Sequence, residues 1–153
     1  MYLLLLTLHS IVRWLVLFFL LYSIIRAFRG YIGERSFTAS DNAVRHWTAT
    51  VAHIQLVLGM GLYVISPIVR SIVARHMESG INDGFFFRYI HIAMMLLGIV
   101  LLTIGSAKAK RIKVDKEKFR TIIIWYVLAL VVILLAIPWP FSPLSQRPFV
   151  RLF

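Results

Sequence analysis

The chain has 153 residues, 60% of them hydrophobic, with 17 Lys and Arg against 6 Asp and Glu and no cysteine. That composition excludes an ordinary soluble domain, and the missing cysteine excludes disulfides, thiol catalysis, cysteine-held iron–sulfur clusters and covalent CxxCH haem attachment. The net charge of +11 would suggest nucleic acid in a soluble protein; here the basic residues flank apolar runs, so topology accounts for them and no nucleic-acid partner is expected.

Four apolar runs follow one another at about residues 2–25, 47–69, 85–107 and 120–138. Each reaches the roughly 18–20 residues that a helix needs to cross about 30 Å of hydrocarbon. Backbone groups in lipid must bond within their own segment, so the runs are predicted to be helices. The first begins at Met1 with no basic region and no small-residue cleavage pattern, and is longer than a signal-peptide core, so it reads as a retained span. After it, the loop 26–46 carries Arg26, Arg29, Arg35 and Arg45. After the third run, the loop 108–120 carries every lysine of the chain, with Arg111 and Arg120. The positive-inside bias predicts that these two loops are cytoplasmic and that both termini lie on the outer, periplasmic side. Arg70, Arg75, Arg88, Arg147 and Arg151 dilute that bias without reversing it. The expected fold is therefore all-α, a single domain over 1–153 forming an integral membrane four-helix up-down bundle in the lipid bilayer.

Between the second and third runs, Ile68, Val69, Ile72, Val73 and Met77 recur at helical spacing, with Arg70, Arg75 and Glu78 between them. This predicts a short interfacial helix before a turn at Ser79-Gly80 and Asn82-Asp83-Gly84. His46 and His76 fall at the interfaces, where they are expected to be solvated. Beyond the fourth run, Ile137-Pro138-Trp139-Pro140-Phe141 breaks the helix with aromatic residues suited to the headgroup zone.

His9, His53 and His91 sit inside the apolar runs. An ionisable group in hydrocarbon is expensive, which makes each a functional candidate. With Arg26, Arg45 and Lys108 as markers of the inner boundary, His9 and His91 each lie 17 residues from it. At about 1.5 Å per residue that is about 25 Å, against about 12 Å for His53. The first and third helices of an up-down bundle are parallel and diagonal. Two diagonal histidines at one depth are the arrangement that bis-histidine haem b requires, with His9 and His91 as iron ligands. Arg13, four residues after His9, shares its face and needs an anion or a carbonyl partner, because no Asp or Glu lies inside a span. Arg88, three residues before His91, is the easier partner for a haem propionate, and Gly98, seven after it, leaves space for a flat macrocycle. His53 with Gln55 offers a third metal ligand, a quinone contact or simple packing. Structural roles stand beside these. Each histidine has Ser10, Ser23, Thr50 or Thr103 to bond across helices, Arg13 can cap a carbonyl, and Gly98, like Gly59 and Gly61, can serve close packing.

The acidic residues Glu34, Asp41, Glu78, Asp83, Asp115 and Glu117 all fall in loops or at helix ends, and there is no Ser-His-Asp pattern, phosphate-binding Gly loop or HExxH motif. Hydrolysis is not expected; electron transfer needs only a cofactor and its surroundings. Leu8-His9-Ser10 with Arg13-Trp14, Ala52-His53-Ile54-Gln55 with Gly59 and Leu62-Tyr63, His91 with Met94-Met95, Ile104-Gly105-Ser106 and the Pro-Trp-Pro tail together resemble a group of small bacterial four-helix cytochrome b-like proteins. The resemblance covers nearly the whole chain. It implies a bacterial inner-membrane location, a b-type haem and importance for His9, His53 and His91. An acidic residue often precedes the third-helix histidine in that family, whereas Ile90 does here, which puts a proton-coupled role in doubt. The leading expectation is a haem b electron carrier linked to quinol and a redox partner, rather than a stand-alone enzyme. The alternatives are a haem-free accessory subunit of a larger membrane complex, and a metal-handling protein using the three histidines with Met60, Met94 and Met95.

Overall fold

The computed structural model describes residues 1–74, 83–142 and 145–149. It is 84% helical with no strand among the described residues, as the sequence predicts. Its helices are α1 (Tyr2–Ile32), α2 (Ala39–Ile65), the short α3 (Pro67–Ala74), α4 (Asp83–Arg111) and α5 (Asp115–Ala136). Four of them, α1, α2, α4 and α5, are long and apolar enough to cross a membrane. Phe18, Val57 and Leu135 are each at least 60% exposed on their outer faces. A helix that is apolar all round suits lipid on one side and helix neighbours on the other.

The helix ends follow from local chemistry. Thr38 opens α2 with a reciprocal capping box, its hydroxyl accepting from the Asp41 amide while the Asp41 carboxylate accepts from the Thr38 amide. Thr38→Ala is expected to cost about 1 kcal/mol, measurable as a lower unfolding midpoint in detergent. α2 stops at Ile65, short of the expected 69, because Ser66 precedes a proline and takes extended backbone while Pro67 starts α3. A short helix is thus present over Pro67–Ala74, where the sequence predicts one, and Arg75, His76, Met77, Glu78, Ser79, Gly80 and Asn82 lie outside the described residues, as does Arg151. Asp83 and Gly84, expected in a turn, instead begin α4, where Asp83 places negative charge in the first turn.

α1 packs against α2 and α5, and α4 packs against the same two helices, so α1 and α4 are diagonal. Glycines admit the close approaches. A Cβ on Gly30 would collide with the Phe119 ring, one on Gly105 with Trp125, and one on Gly98 with Ile133 at 2.8 Å. The arginine-bearing and lysine-bearing loops share one end of the bundle, joined by a Glu34–Lys116 ion pair. There Asp41 is buried and accepts from Arg26 Nε at 2.6 Å and from both terminal nitrogens of Arg35 at 2.7 and 2.8 Å. Arg45, read from sequence as a loop cation, lies within α2 at 5% exposure. Asn42, Ser106 and its own carbonyl's bond from the Tyr126 hydroxyl hold it there. At the opposite end, Asp83 accepts from Ser145 at 2.8 Å and pairs with Arg147, which fastens the tail to α4.

Candidate functional site

His9 on α1 and His91 on α4 meet across the diagonal of the bundle, with ring centroids 6.5 Å apart and planes inclined by 66°. Two imidazoles on opposite sides of one metal, at metal–nitrogen bonds of about 2.0–2.1 Å, have centres about 6 Å apart. The spacing of the pair is near that value and falls equally within the roughly 4.5–7 Å of edge-to-face ring contacts.

His91 is placed by two local irregularities. Residues Phe86–His91 of α4 form a π-helical stretch that ends on His91. Such stretches are rare and cluster at functional sites. The wider turn sets both Phe86 and Phe87 beside the His91 ring, at 5.8 and 5.6 Å. The second irregularity is the end of α5. A proline cannot donate to the carbonyl four residues before it, so Pro138 frees the Leu134 carbonyl and Pro140 frees that of Ala136. Both carbonyls are used. Trp139 Nε1 donates to Leu134 at 2.8 Å, and His91 Nδ1 lies 2.8 Å from the Ala136 oxygen. A carbonyl only accepts, so Nδ1 carries the proton and Nε2 is left with a free lone pair, the tautomer that a metal-binding histidine needs.

Beside the pair lies a cavity of about 190 Å³, running from the bundle interior toward the amino-terminal end of α1. His9, Arg13, Gln55, Gly59, His91 and Arg147 are among its walls. Three polar atoms of its lining residues are closed off from solvent without a hydrogen-bond partner: His9 Nδ1, Arg13 Nε and Gln55 Oε1. Burying such groups unpaired costs roughly 1–3 kcal/mol each, so the cavity is polar in demand although mostly apolar in lining. Gln55 donates through Nε2 to the His9 carbonyl at 2.9 Å. Arg13 Nη2 and Trp14 Nε1 both donate to the Phe149 carbonyl of the tail, Trp14 at 3.0 Å. Arg13 thus has the carbonyl partner that the sequence required.

Three sequence candidates stand elsewhere. His53 Nε2 lies 3.0 Å from the Thr103 hydroxyl, which itself donates to the Ile99 carbonyl, so His53 donates to Thr103. Of the pair assigned to a quinone contact, Gln55 lines the cavity and His53 does not. Arg88 donates to the Val69 carbonyl at 3.0 Å and ties α4 to α3. Gly98 packs on Ile133. The glycine that makes room at the site is Gly59 on α2, where a Cβ would stand 3.2 Å from His9 Cε1. Gly59→Leu is expected to push the His9 ring out of line and weaken any ligand held there by at least tenfold, while Gly61→Ala, facing Leu5 at 3.7 Å, leaves binding unchanged. Titration of both variants with haem checks this.

Comparison with family models, curated proteins and solved structures finds no match to the chain.

Proposed function

We propose that this chain is a membrane b-type cytochrome-like electron-transfer protein with haem iron held between His9 and His91. The observation that carries the reading is the facing pair itself, 6.5 Å between centroids, with His91 Nδ1 engaged by the Ala136 carbonyl. The donor set suits the group: two histidines, one of which is fixed in the ligating tautomer while the other has a buried nitrogen lacking a partner. The cavity, at about 190 Å³, is smaller than the roughly 300–1,000 Å³ of cofactor-sized pockets. Holding a macrocycle therefore requires the helices and side chains around the pair to make room while the His9–His91 spacing is kept.

When bound, haem supplies a one-electron couple. The chain's own residues do the rest. Ala136 orients His91, Phe86 and Phe87 keep water from it, and Gly59 gives the His9 ring its space. Arg13 is the cavity cation available to a propionate, whereas Arg147, which also lines the cavity, pairs with Asp83, and Arg88 donates to Val69. The location that goes with this reading is a bacterial inner membrane, with loops 26–46 and 108–120 cytoplasmic and both termini outside, from the positive-inside bias. The visible spectrum of the purified full chain, oxidised and then reduced, tests it.

A further inference from the structure

Arg13 is a cation inside an apolar helix whose partner is a neutral carbonyl. Among the described residues it has no carboxylate, its Nε has no partner, and it lines the cavity. A guanidinium removed from water is poorly compensated by one carbonyl oxygen and strongly compensated by a carboxylate, which takes two parallel hydrogen bonds. The Phe149 carbonyl that occupies Arg13 belongs to the tail, and the tail's Arg147 and Pro148 form part of the same cavity wall. Trp14 shares that carbonyl, and the Trp14, Trp139 and Phe149 rings lie 6.2 to 6.4 Å from one another. The tail is thus strapped across the cavity by the very group that an anionic ligand would claim.

We propose that Arg13 is the receptor for the carboxylate of an apolar ligand, and that the end of the tail at Phe149 is a strap which this carboxylate displaces, while Asp83 keeps Ser145 and Arg147 in place. The ligand class is an apolar molecule with a terminal carboxylate. Two sources share that chemistry, a haem propionate and a free fatty acid. The first deepens the haem reading and rests on it; the second is independent of it.

The chain lacks cysteine, so a single spin label at Phe149→Cys, an exposed position whose backbone carbonyl still meets Arg13 and which lies beyond the Asp83 anchors, reports the motion of the strap in the full-length protein without background. The label is expected to be immobile alone, to become mobile with saturating haem or oleate, and to stay immobile with haem dimethyl ester or oleyl alcohol, which carry no free carboxylate. Arg13→Gln is expected to weaken the carboxylate ligands by more than tenfold, with Arg13→Lys restoring part of the loss. The ester comparison uses the unaltered site, so misfolding of an Arg13 variant does not blunt the test. A b-type spectrum with an immobile label overturns the strap and leaves the haem reading standing. Mobilisation by oleate with no haem spectrum does the reverse. Equal mobilisation by acids and their uncharged counterparts overturns the carboxylate receptor, and no mobilisation by haem or oleate overturns the proposal entirely.

Discussion

His9→Ala and His91→Ala are each expected to reduce bound haem to less than about a tenth of the wild-type content, and His53→Ala to leave it unchanged. The expected size follows from metal sites in which loss of an outer-shell partner alone costs 10–100-fold, so loss of a ligand costs at least that much. The contrast with His53 follows from geometry, since its ring nitrogen is bonded to Thr103 and it is not among the residues that line the cavity. The check is haem per protein after purification at equal haem supply, with helical content compared by circular dichroism. Full haem retention by both His9→Ala and His91→Ala, or loss in His53→Ala, contradicts the assignment of ligands.

Asp41→Ala is expected to be the most destabilising single change at the loop end, by about 3 kcal/mol, the lower part of the range for leaving buried charges without their partner. The Asp41 side chain is 3% exposed and joins α1, the loop and α2 through Arg26, Arg35 and Thr38. The arginines keep about a third of their surface in solvent, which limits the loss. Asp41 lies in the first turn of α2, outside the apolar stretch. Burial raises its carboxyl pKa, but the hydrogen bonds from Arg35, Thr38 and Arg26 outweigh that and hold it well below the usual carboxylate range. A depressed acid contributes stability that is full above the unfolded value of about 3.9 and is lost as pH falls toward the folded one. The gap in unfolding midpoint between wild type and Asp41→Ala should therefore be constant from pH 5 to 8 and narrow only in stronger acid. A gap that closes near neutral pH would assign the effect to another group.

The four helices were legible because each run is long, apolar and bounded by charge. The diagonal meeting of His9 and His91 was legible too, since equal spacing from the basic boundary needs only a constant rise per residue. What counting residues misses is rotation. The π-helical stretch Phe86–His91 breaks the 3.6-residue phase of α4, so Arg88 cannot be assigned a face from regular periodicity, and it meets Val69 instead of the cavity. Gly98 and Gly59 differ for a tertiary reason: which helix faces the imidazole depends on packing, and α2 presents Gly59 where α5 presents Ile133 to Gly98. The bond from Arg13 to Phe149 spans 136 residues and depends on the path of the tail. One signal was in the sequence and went unread. Pro138 and Pro140 mark two unsatisfied carbonyls at the end of α5, and a buried histidine is a natural donor for the second.

The central claim is a haem between His9 and His91, and its most direct test is the visible spectrum of the purified full chain at full haem supply, oxidised and then reduced with dithionite. The account predicts Soret and alpha bands of a b-type haem in the reduced-minus-oxidised difference. A flat visible spectrum in both states contradicts it and returns the histidine pair to helix packing or to a partner complex.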